Sequence, residues 1–237
     1  ATGLYLASSP PVDFAMKGRI NAFLALDRAI NAAELAQVRS WAGQQRGAVF
    51  SNAANILVVE GDSISRASRA TLNRGWNQTL NLGPSALEYN LSLGGLTLAT
   101  ISSDNRSGGL YNAAKNNILV VFAGSNDIAV SGTTAANTHT LLSDFCTARR
   151  AQGFKIVVVT MLPREALFEA TRQTFNGLIR SSWTTYADAL ADVETVPAIG
   201  ADGAQSGANF DADTIHPNAA GHVLLRDLIK PKITGLM

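Results

Sequence analysis

The sequence predicts an α/β fold of three layers, α/β/α, with helices on both faces of a parallel five-stranded sheet. Two observations carry this. From Asn55 onward, short β-branched runs alternate with longer stretches of helical pattern. Runs such as Ile56-Leu57-Val58-Val59 are apolar throughout rather than alternating, as strands buried on both faces are. A chain of 237 residues is long enough to bury one such core.

The first dozen residues are small, apolar and proline-bearing, and no element is assigned to them. Arg19 to Leu26 reads as a strand and Ala32 to Gln45 as an alanine-rich helix, with Asn31 and Glu34 spaced as a capping box. Gly47 and Ser51-Asn52 mark a stop. Residues 1–50 are therefore expected to form a strand-helix extension, and residues 51–237 the main α/β domain. Within that domain strands are expected at 56–59, 86–93, 118–122 and 155–160, with Val193 to Val196 as the fifth. Helices are expected over 68–80, 137–152 and 165–186, and a last helix from Pro217, a residue favoured in the first helical turn.

Composition excludes several classes of function. The formal charge of +1 provides no basic field for nucleic acid. Cys146 stands alone, so no internal disulfide or thiolate cluster can form, and it reads as a small buried hydrophobe. No run of 18 apolar residues suggests a membrane span. The first residues lack a signal peptide's charged start and apolar run; a mature secreted or periplasmic chain would begin the same way, and that compartment is the expectation. Neither a Gly-x-Ser-x-Gly elbow nor a phosphate-binding glycine loop occurs. No metal and no cofactor is expected, because His139 and His222 lack partners at zinc-ligand spacing.

In parallel sheets ligands bind beyond the carboxyl ends of the strands, and four segments with chemical potential lie there. Gly61-Asp62-Ser63-Ile64 follows the first strand, where a serine sits exposed at a turn, although Asp and Ser are also ordinary helix caps. Asn90-Leu91-Ser92-Leu93-Gly94-Gly95-Leu96-Thr97 follows the second. Its paired glycines either let backbone N–H groups approach a ligand or make a simple turn. Gly124-Ser125-Asn126-Asp127 follows the third, offering an uncharged amide donor or plain turn chemistry. In Asp213-Thr214-Ile215-His216-Pro217 the proline keeps His216 out of a helix. Asp213 can then fix the imidazole tautomer that leaves Nε2 free to take a proton.

Taken in order, the four segments resemble the motifs of the SGNH (GDSL-type) hydrolases, over residues from about Asn55 to the C-terminus. The resemblance implies a flavodoxin-like sheet and a serine esterase. Ser63 would be the nucleophile, Asp213 and His216 the rest of the triad, and Ser63, Gly95 and Asn126 the oxyanion hole. Three positions depart from the family pattern: Ile64 replaces leucine, Ser92 stands where glycine is frequent, and Thr214 stands where glycine commonly follows the aspartate. Residues 18–34 resemble the last strand and helix of a concanavalin-like (LamG-type) jelly roll, which would make 1–50 the remnant of an upstream domain.

The substrate expected is a short-chain ester, an acetyl ester above all, free or borne on a glycan. Leu96, Thr97, Ile128, Met161, Leu162 and Ile215, each beside a motif, are the expected pocket walls, and Arg164 could meet an anionic or sugar portion. A glycan-binding module without activity, a thioesterase and a lipase are the alternatives.

Overall fold

The computed structural model describes residues 53–68 and 74–237. The strand at 19–26, the capping box, the helix at 32–45 and the jelly-roll resemblance lie outside the described residues.

The compact unit running from Ala53 to Met237 is built on five parallel strands: β1 (Asn55–Gly61), β2 (Ala86–Asn90), β3 (Asn116–Phe122), β4 (Phe154–Val159) and β5 (Ala189–Ala191), in the order β2-β1-β3-β4-β5. All four pairings are parallel, with β1 central enough to pair both Asn55 with Ala86 and Asn55 with Asn116. This is the flavodoxin-like three-layer arrangement that the sequence predicts.

Alternation along each strand explains the uniform apolarity. Ile56, Val58, Leu119, Val121, Ile156 and Val158 point into one core, where they meet α1 (Leu98–Asp104), α3 (Ala135–Gln152) and α4 (Ala166–Ser182). Leu57, Val59, Ile118, Val120, Val157 and Val159 point into the other, against Trp76, Leu80, α5 (Pro197–Gly200) and α6 (Ala219–Thr234). Both faces are thus removed from water, the main stabilising term for a sheet of this kind. A short α2 (Ser125–Ala129) follows β3 directly. Cys146 is buried in the first core. Among the described residues no helix is long and apolar enough to cross a membrane.

Three expectations are corrected. The fifth strand is Ala189–Ala191, paired with the end of β4, not Val193 to Val196. The Asp192 carboxylate accepts the Glu194 N–H, curling 193–195 into a 3-10 turn whose Val193 is buried. The last helix begins at Ala219, not Pro217. Asn218 caps it, its side-chain oxygen accepting the Ala220 and Gly221 N–H groups, while Pro217 forms an antiparallel bridge with Phe210. Of the helix expected over 68–80, residues 69–73 lie outside the described ones and 75–79 form a turn.

Candidate active site

β1 goes to one side of the sheet to reach β2 and β3 lies on its other side. The crevice beyond their carboxyl ends is where such sheets hold ligands. Ser63 stands two residues past β1. The chain can turn there because Gly61 lacks a side chain: a Cβ at that position would lie 2.5 Å from the Phe122 carbonyl oxygen. Arg66 N–H donates to Asp62 O and Ser68 N–H to Ser63 O, winding the backbone into helical turns with Ser63 half-buried at their start.

His216 meets this serine from the loop before α6. Its Nε2 lies 2.7 Å from Ser63 Oγ, and its Nδ1 lies 2.7 Å from Asp213 Oδ2. An ionised carboxylate only accepts hydrogen bonds, so Nδ1 carries the proton and Nε2 is left to accept from the serine. The loop is self-bracing. Asp213 Oδ1 accepts the N–H groups of Ile215 and His216, both at 3.0 Å, and Asp211 N–H donates to His216 O. Burial opposes ionisation of Asp213, but the backbone and ring N–H of His216 and the N–H of Ile215 outweigh it and hold the carboxyl at about 2.

The glycine loop after β2 lies beside the serine. A Cβ on Gly94 would point to within 3.9 Å of Ser63 Cβ, and Gly95 adopts φ +80° with open space where a side chain would be. This loop is held from four directions. Leu93 N–H donates to Gly61 O, Arg106 Nη1 to Leu91 O, Asn126 Nδ2 to Leu96 O at 3.0 Å, and Leu98 N–H to the Asp127 carboxylate. The glycine loop that carries Gly95 is therefore hydrogen-bonded both to the end of β1, two residues before Ser63, and to Asn126 in α2.

The expected pocket walls divide. Ile128, Met161 and Leu162 are corrected to core residues: all three are buried, Ile128 and Met161 in one apolar cluster and Leu162 in the other. α2 turns Ile128 inward, and Met161 is clamped by Asn176, which accepts its N–H and donates to its carbonyl. Leu96 is half-buried against the first core. Thr97 caps α1, its hydroxyl oxygen accepting the Thr100 N–H. Ile215 is half-buried, its N–H committed to Asp213. Arg164, expected to meet an anionic or sugar portion, is also corrected: it is buried, and its guanidinium donates to Ser125 and Glu165.

Sequence reasoning gave no role to Asp62 or Asp127. Asp62 is buried, accepts the Ile64 N–H, and is pushed by burial up to about 6, against the pull of the charges on His216 and Arg164. Burial also raises Asp127. The signal available was their adjacency to Ser63 and Asn126; the partner of Asp62 is the local Ile64 N–H, whereas that of Asp127, the Leu98 N–H, is 29 residues away. Among the described residues no group of three or more His, Cys, Asp or Glu side chains is arranged to hold a metal.

The sequence pattern of the GDSL-like lipase/acylhydrolase family matches residues 59–224. No curated protein matches the sequence. Several solved structures are similar in fold. TesA superimposes with a TM-score of 0.63 at 24% identity, covering 77% of this chain and 99% of that one. A carbohydrate esterase family 3 protein from Talaromyces cellulolyticus gives 0.62 at 18% identity, covering 76% and 97%. The acetyl xylan esterase AlAXEase gives 0.57 at 16% identity, covering 75% and 99%.

Proposed function

Because the chain belongs to the GDSL-like lipase/acylhydrolase family, we propose that it is a serine esterase acting on short-chain, chiefly acetyl, esters, including those carried on carbohydrate. The observation that carries this reading is the line Asp213–His216–Ser63, with 2.7 Å at each junction.

Along that line His216 Nε2 takes the Ser63 proton as Oγ attacks the ester carbonyl. The proton passes to the departing alcohol oxygen, leaving an acyl-serine. Water, deprotonated by the same nitrogen, then attacks this acyl group, and the proton returns to Ser63 as the acid leaves. Asp213 remains ionised and stabilises the imidazolium. The oxyanion would form between the Ser63 and Gly95 N–H groups and Asn126. Asn126 Nδ2 carries two hydrogens and donates one to Leu96 O, which leaves the second for the oxyanion. Donors held in this way stabilise the developing charge without reorganising, each by roughly 2.7–4 kcal/mol.

Two observations support a small acyl group. Three of the apolar side chains nearest the motifs, Ile128, Met161 and Leu162, are consumed by the core. Structures of similar fold include an acetyl esterase and an acetyl xylan esterase.

Hydrolysis of p-nitrophenyl acetate, butyrate and octanoate by the native protein and by Ser63→Ala tests the reading. The expected result is activity on acetate that falls with chain length and vanishes in the variant. Preference for octanoate would support a lipase or thioesterase instead. A native protein inert on all three and on acetylated xylan would support a glycan-binding module.

A further inference from the structure

We propose that Arg164 is a positioning residue for the oxyanion half of the site, holding Asn126 in place through Ser125. The inference rests on the esterase reading above.

A cation at this position needs a reason. Arg164 lies two residues before the first residue of α4, next to its N-cap, and the start of a helix favours anions over cations. The side chain is also only 7% exposed, and burying a charge is unfavourable unless it is paired. The local residues do not treat it as incidental. Glu165 occupies the N-cap position of α4, yet its side chain caps nothing there. Its carboxylate instead accepts from Arg164 Nε at 2.9 Å and Nη2 at 3.4 Å. The guanidinium's remaining arm, Nη1, donates 2.6 Å to Ser125 Oγ, and Ser125 is 4% exposed.

Ser125 is the residue before Asn126, at the head of α2. Gly124 supplies no side-chain cap for that five-residue helix. The Ser125 hydroxyl, in the first turn of α2, accepts from the guanidinium. The start of α2 is therefore anchored across the site to the β4 loop.

That loop is itself tied down by hydrogen bonds. Arg164 N–H donates to Glu169 Oε2 and its carbonyl accepts from Gln205 Nε2 at 2.6 Å. Glu169 Oε1 in turn accepts Arg172 Nε at 2.8 Å, and Arg172 is fully buried while donating to Met161 O. The guanidinium also contributes to the field at Asp62, together with His216 and Asp127. Arg164 therefore joins the ends of β3 and β4 beside the charged group that precedes the nucleophile.

A donor must be held to about half an ångström to serve a transition state. Releasing Ser125 is expected to lower kcat about 10- to 100-fold, with KM within about twofold of native. The experiment is a kinetic cycle on p-nitrophenyl acetate with Arg164→Gln, Arg164→Lys, Ser125→Ala, Asn126→Ala and the double variants. Arg164→Lys should recover part of the loss. Arg164→Gln/Ser125→Ala should be no slower than Arg164→Gln alone. Within Asn126→Ala, removing Arg164 should change kcat little, because the donor it positions is already gone.

Native kcat in Ser125→Ala, or the same loss from Arg164→Gln with and without Asn126, would overturn the inference and leave Arg164 a stabiliser of the fold. Ser125→Ala decides the matter if Arg164→Gln does not fold. Absence of Ser63-dependent hydrolysis in the native protein would remove the esterase reading and this inference together.

Discussion

The Asp127 carboxylate accepts the Leu98 N–H with both oxygens, at 3.1 and 3.0 Å. Leu98 opens α1 just beyond the glycine loop, while Asp127 lies next to Asn126. One buried carboxylate thus sets the distance between the two loops proposed to form the oxyanion hole, and the Asn126–Leu96 bond repeats the tie one residue away.

Asp213→Asn tests the orienting role of the carboxylate. An amide can present N–H to Nδ1, favouring the tautomer whose Nε2 is protonated and unable to accept from Ser63. kcat for p-nitrophenyl acetate at neutral pH should fall by about 10³–10⁴-fold with the fold intact. A loss under tenfold would remove Asp213 from the proposed mechanism.

Gly124→Ala should damage both stability and rate. The residue has φ +116°, and a Cβ there would meet Phe175 Cε1 at 2.8 Å, inside the core. The strain is expected to be about 1–3 kcal/mol, read as a lower Tm, with kcat reduced because α2 carries Asn126. An unchanged Tm would show that the β3 loop yields more than its packing suggests.

Thr214→Gly should act in the opposite direction. Thr214 holds φ +55°, in the left-handed region that a β-branched residue adopts only under strain. Relief of about 1 kcal/mol should raise Tm by roughly 2–4 °C for a domain of this size, with kcat unchanged. A fall in Tm would mean that the threonine side chain makes a compensating contact.

Asp62 and His222 should pull stability in opposite directions on acidification. Burial raises Asp62 to about 6, so the folded protein takes up a proton that the unfolded chain accepts only near pH ~4. That group adds stability as pH falls through this window. Burial, helped by the His216 charge, lowers His222 to about 4, whereas the unfolded chain protonates near pH ~6.5. Its contribution is present above pH ~6.5 and lost as pH falls toward 4. Melting at pH 7 and pH 4.5 reads both effects. On acidification Asp62→Asn should lose more Tm than the native protein, and His222→Gln should lose less. Equal losses in all three would refute the assignment.

Legibility in the sequence followed the range of the interactions. β1, β3 and β4 are doubly buried, so their composition alone marks them. β5 is three residues with two alanines, and it exists because the end of β4 offers it partners; no local pattern announces that. The Val193 run drew attention instead, but Asp192 bends it away. Thr97, an expected pocket wall, also caps α1, and its spacing from Thr100 is that of a helix cap. Ser63, Asp213 and His216 were legible because motif order and strand ends agree. Asp127 and Arg164 were not, since Leu98 is 29 residues from the first and Ser125 39 from the second.

The short spacing of Asp213 and His216 has an evolutionary consequence. The proposed base and the carboxylate bonded to it share one loop, closed by its own hydrogen bonds and by the Phe210–Pro217 bridge. They form a portable cassette that can shift toward or away from Ser63 only as a unit. Surface segments elsewhere in the chain can then lengthen, shrink or change specificity without detuning the acid–base pair. On the esterase reading, selection would explore new substrates one loop at a time while the proposed proton-transfer pair is inherited whole.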